Sequence, residues 1–318
     1  MKLNYGRTFI LGLGFLSITL TWSVYNSYVP IFLGDLLKDV AYRTTLIGAI
    51  MTLDNIAAVT LQPYFGALSD RTWTRAGRRM PFLVAGMPVA AVFFGLIPVA
   101  RFSLPLMMMV IVVMNLSMTA FRAPTVALMP DITPSPLRSK ANGVINFMGG
   151  LGALLAFFAF SRLYKADPAL PFAATSAVLA AVLVALYFFI KEPARPEVEK
   201  RESVGVIQAL REVWADPDRS TWRLLLAIFA WFIGWSGVEA LFTLYGVEVW
   251  GMQAADASFM LGFFSLSFLV FAIPSGFLAT AIGRRRTILA GLVGLGLMLL
   301  LMAGSSPGAV LTVELLMA

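Results

Sequence analysis

The chain has 318 residues, 59% of them hydrophobic and 13% charged, with mean hydropathy +0.83. Soluble domains carry roughly 25% charged residues, so a water-soluble globule is excluded and a helical chain crossing a membrane many times is expected. Neither cysteine nor histidine occurs, which rules out disulfides, thiolate or imidazole metal sites and any histidine-based nucleophilic triad. The net charge of +7 reads as basic loops beside a membrane, not as a nucleic-acid surface.

The N-terminus "MKLNYGRTF" runs into an apolar stretch with no small-residue cleavage site. It predicts a first membrane helix at 8–33 and not a removed signal peptide. Further apolar runs predict helices at 44–69, 80–100, 104–129, 141–162, 171–190, 222–247, 257–280 and 287–304, with a tenth starting near 308. Each is long enough for a hydrocarbon layer of about 30 Å, and no barrel-like pattern of short alternating strands occurs. Between the sixth and seventh runs lies a polar stretch, 191–221. From Lys191 to Arg223 it holds seven basic and seven acidic residues. Its middle, "VGVIQALREVW", has the apolar spacing of a short amphipathic helix on a membrane surface. The expected organisation is an N-terminal six-helix bundle (1–190), a cytoplasmic linker (191–221) and a C-terminal bundle (222–318). With the N-terminus inside, 18 of the 24 basic residues fall on inner segments and five on outer ones, so a cytoplasmic N-terminus is expected.

Residues 66–82, "GALSDRTWTRAGRRMPF", place Asp70, Arg71, Arg75, Arg78 and Arg79 between two apolar runs. A related stretch, "GFLATAIGRRR", starts at Gly276, 210 positions after Gly66. Both close the second helix of a half, which marks an internal repeat. The second copy carries Thr280 where the first has Asp70, so it is the weaker of the two. Beyond Gly276 only 42 residues remain, and the same distance beyond Gly66 reaches Met108 in the fourth helix. The expectation is therefore a truncated C-terminal bundle: nine to ten helices are present, most of three are lacking, and the chain stops in mid-helix at "TVELLMA".

Charges inside membrane helices cost a few kcal/mol each, which makes them candidates for function. Asp54 lies about ten residues into the second helix, and Asn55 and Gln62 share one face of it. Arg122 is the one basic residue within a helix core, on a face with Asn115 and Met118. Arginine keeps its charge and offers five donors, so it should pair with a buried acid, Asp54 or Glu239. Glu239 shares a face with Trp231, Trp235 and Phe242; aromatic faces stack on sugar C–H surfaces while a carboxylate accepts from hydroxyls. Helix 1 offers Trp22, Tyr25, Asn26 and Val29 on one face. The competing readings are structural ion pairs, packing faces and an interfacial aromatic belt. Glu248 is expected to be solvated. The small-residue runs "NGVINFMGGLGALLAF" and "GLVGLGL" suit close helix packing, and Pro63, Pro124 and Pro274 should kink or end helices.

The segment "LQPYFGALSDRTWTRAGRRMPFLVAG", residues 61–86, resembles the major facilitator superfamily, and within it the sucrose:proton symporters and their bacterial relatives. These neighbour the glycoside–pentoside–hexuronide:cation symporters. A second stretch, "NLSMTAFRAPTVALMPD" at 115–131, is similar to the same group in its Asn, its buried Arg and an acid at the inner end of helix 4. The resemblance implies an all-α polytopic membrane protein, two six-helix bundles and proton-coupled symport of a disaccharide or glycoside by alternating access. It also implies a cytoplasmic gate at Gly66, Asp70, Arg71, Gly77, Arg78, Arg79, Gly283 and Arg284, with Arg75 left to lipid headgroups. Melibiose-type relatives carry an acid directly before the helix 2 proline, where this chain has Gln62. Proton coupling is therefore preferred to sodium. The expected substrate- and proton-binding residues are Trp22, Asn26, Asp54, Asn55, Gln62, Asn115, Arg122, Trp235 and Glu239. An exporter or facilitator of drugs or other small organic molecules, and a non-transporting membrane sensor or assembly factor, are the alternatives. No phosphate-binding loop occurs, so ATP drive, a cofactor and enzyme activity are not expected. The expected partners are a small molecule, a proton and the bilayer, and the expected location of this monomer is the inner (plasma) membrane.

Overall fold

The computed structural model describes residues 3–192, 211, 213–215 and 219–303. Among them the regular structure is helical, with no strand. Helix α1 is Tyr5–Leu36, and its first turn is capped by Asn4, whose side-chain oxygen accepts from the Arg7 N–H at 3.1 Å. The second span is divided into α2, Arg43–Met51, and α3, Leu53–Arg71. Then follow α4, Met80–Ala100, α5, Leu104–Ile132, and α6, Arg138–Leu154. A π-turn at Leu155–Phe160 leads from α6 into α7, Ser161–Ala166. The remaining helices are α8, Leu170–Phe189, α9, Ser220–Glu248, α10, Ala254–Ile282, and α11, Arg284–Ala303. Eight segments among the described residues are long and apolar enough to cross a membrane. The sequence places these helices correctly, a few residues short at most ends. The amphipathic helix expected at 204–214 lies almost wholly outside the described residues, though Arg211 and 213–215 are helical. The helix expected near 308 lies outside them too.

Pro63, Pro124 and Pro274 end no helix: each sits inside a continuous helical segment. The break falls instead at Thr52. Its Oγ donates to the Gly48 carbonyl at 2.7 Å, while its N–H is shared between the carbonyls of Gly48 at 3.0 Å and Ala49 at 3.2 Å. Threonine bonding back into the preceding turn competes with the helical ladder, and α3 restarts one residue later.

Helix α1 is the axis of the core. Leu11, Leu20, Val24, Tyr25, Tyr28 and Leu33 are wholly buried, and α1 packs on α5, α6, α8 and α9. In lipid the tails are as apolar as leucine, so close backbone approach matters more than burial as such. The α1–α6 contact has that form. A Cβ on Gly152 would stand 2.4 Å from the Leu16 carbonyl oxygen. Because the obstacle is backbone, Gly152→Ala is expected to destabilise the protein by roughly 1–3 kcal/mol, the usual cost of overpacking. A melting midpoint in detergent equal to that of the parent would contradict this. In α11, by contrast, Gly291, Gly294 and Gly296 face open space, so the packing face expected from "GLVGLGL" meets no neighbour among the described residues.

The later helices touch the first six unevenly. The loops after α3, α5 and α8 and the turn before α11 carry most of the arginines; this is the basic end. Near the other end, Leu244 of α9 is buried beside Gly34 and Ile47. There Phe242, Met260 and Leu261 also form a cluster with Ala153 and Phe157. Toward the basic end α9 is bare, with Leu224, Phe229 and Phe232 more than half exposed.

Candidate functional site

Helices α1, α3, α5 and α9 bring polar side chains together at mid-span. The Thr52 break puts Asp54 in the first turn of α3, where the backbone N–H groups of Asp54 and Asn55 reach its carboxylate. A freed helix N-terminus inside the membrane suits a negative charge. Asp54 is close enough to Arg122, Glu239 and Tyr25 to act on each electrostatically. Tyr25 faces Asn115, and Trp22 meets Tyr25 edge-on with ring centroids 5.6 Å apart. Glu239 is within hydrogen-bonding reach of Trp235 and Asn26. Seven of the nine expected binding residues are thus gathered, and Tyr25 joins them. Asn55 and Gln62 are not drawn into this cluster. One position on from Asp54 is about 100° round the helix, and Asn55 is exposed. Gln62 is half-buried and makes no hydrogen bond to a described residue.

The state of these groups is informative. The indole Nε1 of Trp22, the Tyr25 hydroxyl, Oδ1 of Asp54 and both amide atoms of Asn115 are buried without an aligned hydrogen-bond partner. Arg122 makes no hydrogen bond or ion pair within 4.0 Å to any described residue. Buried polar atoms are paired nine times in ten, and an unpaired one costs about 1–3 kcal/mol. A concentration of them in one place fits a site complementary to a polar solute. The aromatic face of α9 differs. Trp231 and Trp235 stack with centroids 6.2 Å apart at 9°, and Trp235 lies 4.4 Å from Phe264. Together with Glu239, Ser265 and Phe157 they line a cavity of about 150 Å³.

The basic end holds a second constellation. Arg78 Nε donates to Asp131 Oδ2 at 3.1 Å and its Nη2 to Asp131 Oδ1, a two-pronged pair. Arg79 Nε donates to the same Oδ2 at 3.0 Å, its Nη2 to Asp70, and its Nη1 to the Ser69 hydroxyl and the Gly66 carbonyl. Arg79 is only 4% exposed, against 55% for Asp70. The Glu192 carboxylate, just beyond α8, accepts the backbone N–H groups of Arg78 at 2.8 Å, Arg79 at 3.0 Å and Met80 at 2.8 Å. It therefore caps α4, whose first N–H groups have no partner within the helix. Gly77 makes this possible. Its φ of +112° suits glycine alone, and a Cβ there would stand 2.5 Å from the Glu192 carboxyl carbon.

Of the expected gate residues, Asp70, Gly66, Gly77, Arg78 and Arg79 meet. Arg71 is corrected: it is exposed and makes no ion pair with a described residue. The turn in the second copy of the motif also needs glycine, since Gly283 has φ of +92°; the side chain of Arg284 lies outside the description. Asp131 and Glu192 were missed as partners. The clue was numerical, because adjacent buried arginines need more than the single Asp70. Glu248 is exposed, as expected, and also pairs with Arg43 at 3.1 Å.

Buried charge at mid-span between two sets of membrane helices, with a charged cluster at one end, is the layout of a multi-pass membrane transporter. Residues 11–318 match the Major Facilitator Superfamily, and the chain belongs to it. It is 24% identical over 310 residues to the isoprimeverose transporter of Lactiplantibacillus pentosus, covering 91% of this chain and 62% of that protein. It is 24% identical over 293 residues to the general alpha-glucoside permease of Schizosaccharomyces pombe, covering 79% of this chain and 52% of that one. The chain thus spans between half and two thirds of these relatives' lengths. Among solved structures it resembles a D-xylose-proton symporter at TM-score 0.69 and 15% identity, covering 99% of this chain and 80% of the other. A bacterial homolog of the human lysosomal transporter Spinster, inward-facing and unoccupied, aligns at TM-score 0.69 and 15% identity, covering 100% and 73%. At such identities these two structures speak for the fold alone.

Proposed function

We propose that the protein carries a sugar, a disaccharide or glycoside, across the plasma membrane together with a proton, by alternating access. The observation that carries this reading is the set of partnerless polar atoms on Trp22, Tyr25, Asp54 and Asn115, together with the Trp231–Trp235 stack beside Glu239 on α9. Sugars present hydroxyls that need donors and acceptors, and C–H faces that lie well on indole rings. The names of the two curated relatives, both carriers of sugars or glucosides, agree with it. Asp54 and Glu239 are the candidate proton acceptors, Arg122 and Asn115 the candidate hydroxyl partners. In this reading residues 1–190 and 222–318 belong to separate bundles, and the basic end is cytoplasmic. Proton binding shifts the equilibrium only through unequal affinity in the two states.

Uptake of labelled sucrose, maltose and isoprimeverose into vesicles, with and without a pH gradient, tests it. Gradient-driven accumulation is expected for at least one. No uptake of any sugar in either condition overturns the reading and leaves an exporter or facilitator of other small molecules. The Asp70 cluster is the proposed cytoplasmic gate. Asp70→Ala is expected to lower turnover about tenfold, some 1.4 kcal/mol of barrier, with substrate affinity unchanged. A tenfold loss of affinity at normal turnover would contradict the gate.

A further inference from the structure

The basic end holds a cavity that the charged cluster leaves open. It measures about 650 Å³ and lies between the turn after α3 and the end of α8, within the roughly 300–1,000 Å³ of ligand sites. The turn is braced. Thr74 and Gly77 exchange both backbone hydrogen bonds at 3.1 Å, and the Thr74 hydroxyl donates to the Gly77 carbonyl at 2.7 Å, so Arg75 stands at a fixed tip. Lys191 follows α8, its carbonyl held by Arg7. Three charged side chains line the cavity: Arg75, Lys191 and Glu192. Glu192 is spent, since it accepts three backbone N–H groups at the start of α4. Arg78 and Arg79 are spent as well, on Asp70 and Asp131. Arg75 and Lys191 are exposed and make no ion pair with a described residue. Two unanswered cations therefore share one cavity. Its rim is amphipathic. Trp73 and Tyr187 line it, and these are the residues that settle at the headgroup level of a bilayer. Val184, Tyr187 and Phe188 share one face of α8, and each is at least half exposed.

We propose that this cavity is a binding site for an anionic phospholipid, with the phosphate between Arg75 and Lys191 and the acyl chains along Val184 and Phe188 of α8. Each part of the lipid meets its own chemistry there: phosphate on cations, headgroup beside Trp73 and Tyr187, hydrocarbon on an apolar helix face. A soluble phosphate compound would use the cations and leave the α8 face without a role. A zwitterionic lipid brings its own ammonium, which competes with Arg75 and Lys191 for the phosphate. Each lysine or arginine at the surface strengthens binding of an anionic headgroup about fivefold. Arginines that only fix topology attract the leaflet at large; these two select one headgroup because they share a cavity. Arg71 is the natural comparison, exposed at the same end but outside that cavity. The site does not depend on which solute the protein carries.

The full chain in phosphatidylcholine nanodiscs, doped with phosphatidylglycerol brominated on its acyl chains, tests this. Bromine quenches nearby tryptophan, and the difference between the parent and Trp73→Phe isolates the signal of Trp73. Half-quenching is expected at a phosphatidylglycerol fraction about five- to twenty-five-fold lower than for brominated phosphatidylcholine. Arg75→Gln together with Lys191→Gln should raise that fraction by about the same factor. The charge-keeping exchange, Arg75→Lys with Lys191→Arg, should stay near the parent, and Arg71→Gln should move the fraction less than about twofold. Equal quenching by the two lipids in the parent, or parent-like quenching in the neutralised pair, overturns the site. So does an Arg71→Gln effect as large as that of the pair, which would make the attraction diffuse. Relief of quenching by millimolar glycerol 3-phosphate would give the cavity to a soluble phosphate compound and overturn the lipid. Selective quenching in a protein that takes up no sugar leaves the lipid site standing while the carrier reading falls.

Discussion

Arg79→Ala is expected to lower the melting midpoint of the protein in detergent by about 5–10 °C. Removing one partner of a buried ion pair costs about 3–5 kcal/mol. Here the cost is discounted, since Asp131 keeps the two-pronged Arg78 and Asp70 is 55% exposed; about 2–3 kcal/mol remains. One kcal/mol moves the midpoint by roughly 2–4 °C in a mid-sized domain. Four acceptors each lose one donor. The Ser69 hydroxyl keeps no other side-chain donor among the described residues, while the Gly66 carbonyl keeps Ser69, and Asp70 and Asp131 retain Arg78. Arg79→Lys should recover only a part, because an ammonium cannot reach acceptors on both sides as the guanidinium fork does. A shift under 2 °C for alanine, or full recovery by lysine, would sink this account of the cluster.

The second large effect concerns mid-span. Asp54→Asn and Arg122→Ala are each expected to reduce sugar uptake at least a hundredfold, roughly 2.7 kcal/mol of lost transition-state or coupling energy. Membrane content should stay near that of the parent. The argument rests on what these groups do not do. Asp54 keeps a buried oxygen without a partner, and Arg122 holds no close pair, though each lies within electrostatic range of the other. Groups that only braced the fold would be paired, so their loss should be felt in transport before stability. Asn preserves the shape of Asp54 and removes its charge, which separates proton handling from packing. Uptake like that of the parent in both variants would remove these residues from the site.

Much of this was legible because the physics is local. Apolar runs of about twenty residues must be helices in lipid, and the ends of α4, α5 and α8 follow from where polarity returns. Asp54, Arg122 and Glu239 stood out because charge in hydrocarbon is costly, and the structure gathers all three. What stayed hidden was non-local. The Thr52 break looks like any threonine in a helix, while Pro63 looked like the better candidate and does not end α3. Asn55 was placed by a seven-residue spacing that is right for a face but blind to which neighbour the face meets. Asp131 and Glu192 lie 53 and 114 positions from Arg78, beyond the reach of any spacing rule. The Arg43–Glu248 pair was unreadable for the same reason, since the two residues lie far apart in sequence.

The reach of Glu192 has a consequence for how the protein is made. Arg7, near the start of the chain, donates to the Lys191 carbonyl, and the next residue caps α4. Among the described residues, every partner in the charged cluster at that end lies between residues 7 and 192. Translation proceeds from the N-terminus and units close as they emerge. The knot of arginines and carboxylates can therefore tie itself while α9 is still being synthesised, and the later helices dock onto a body already closed.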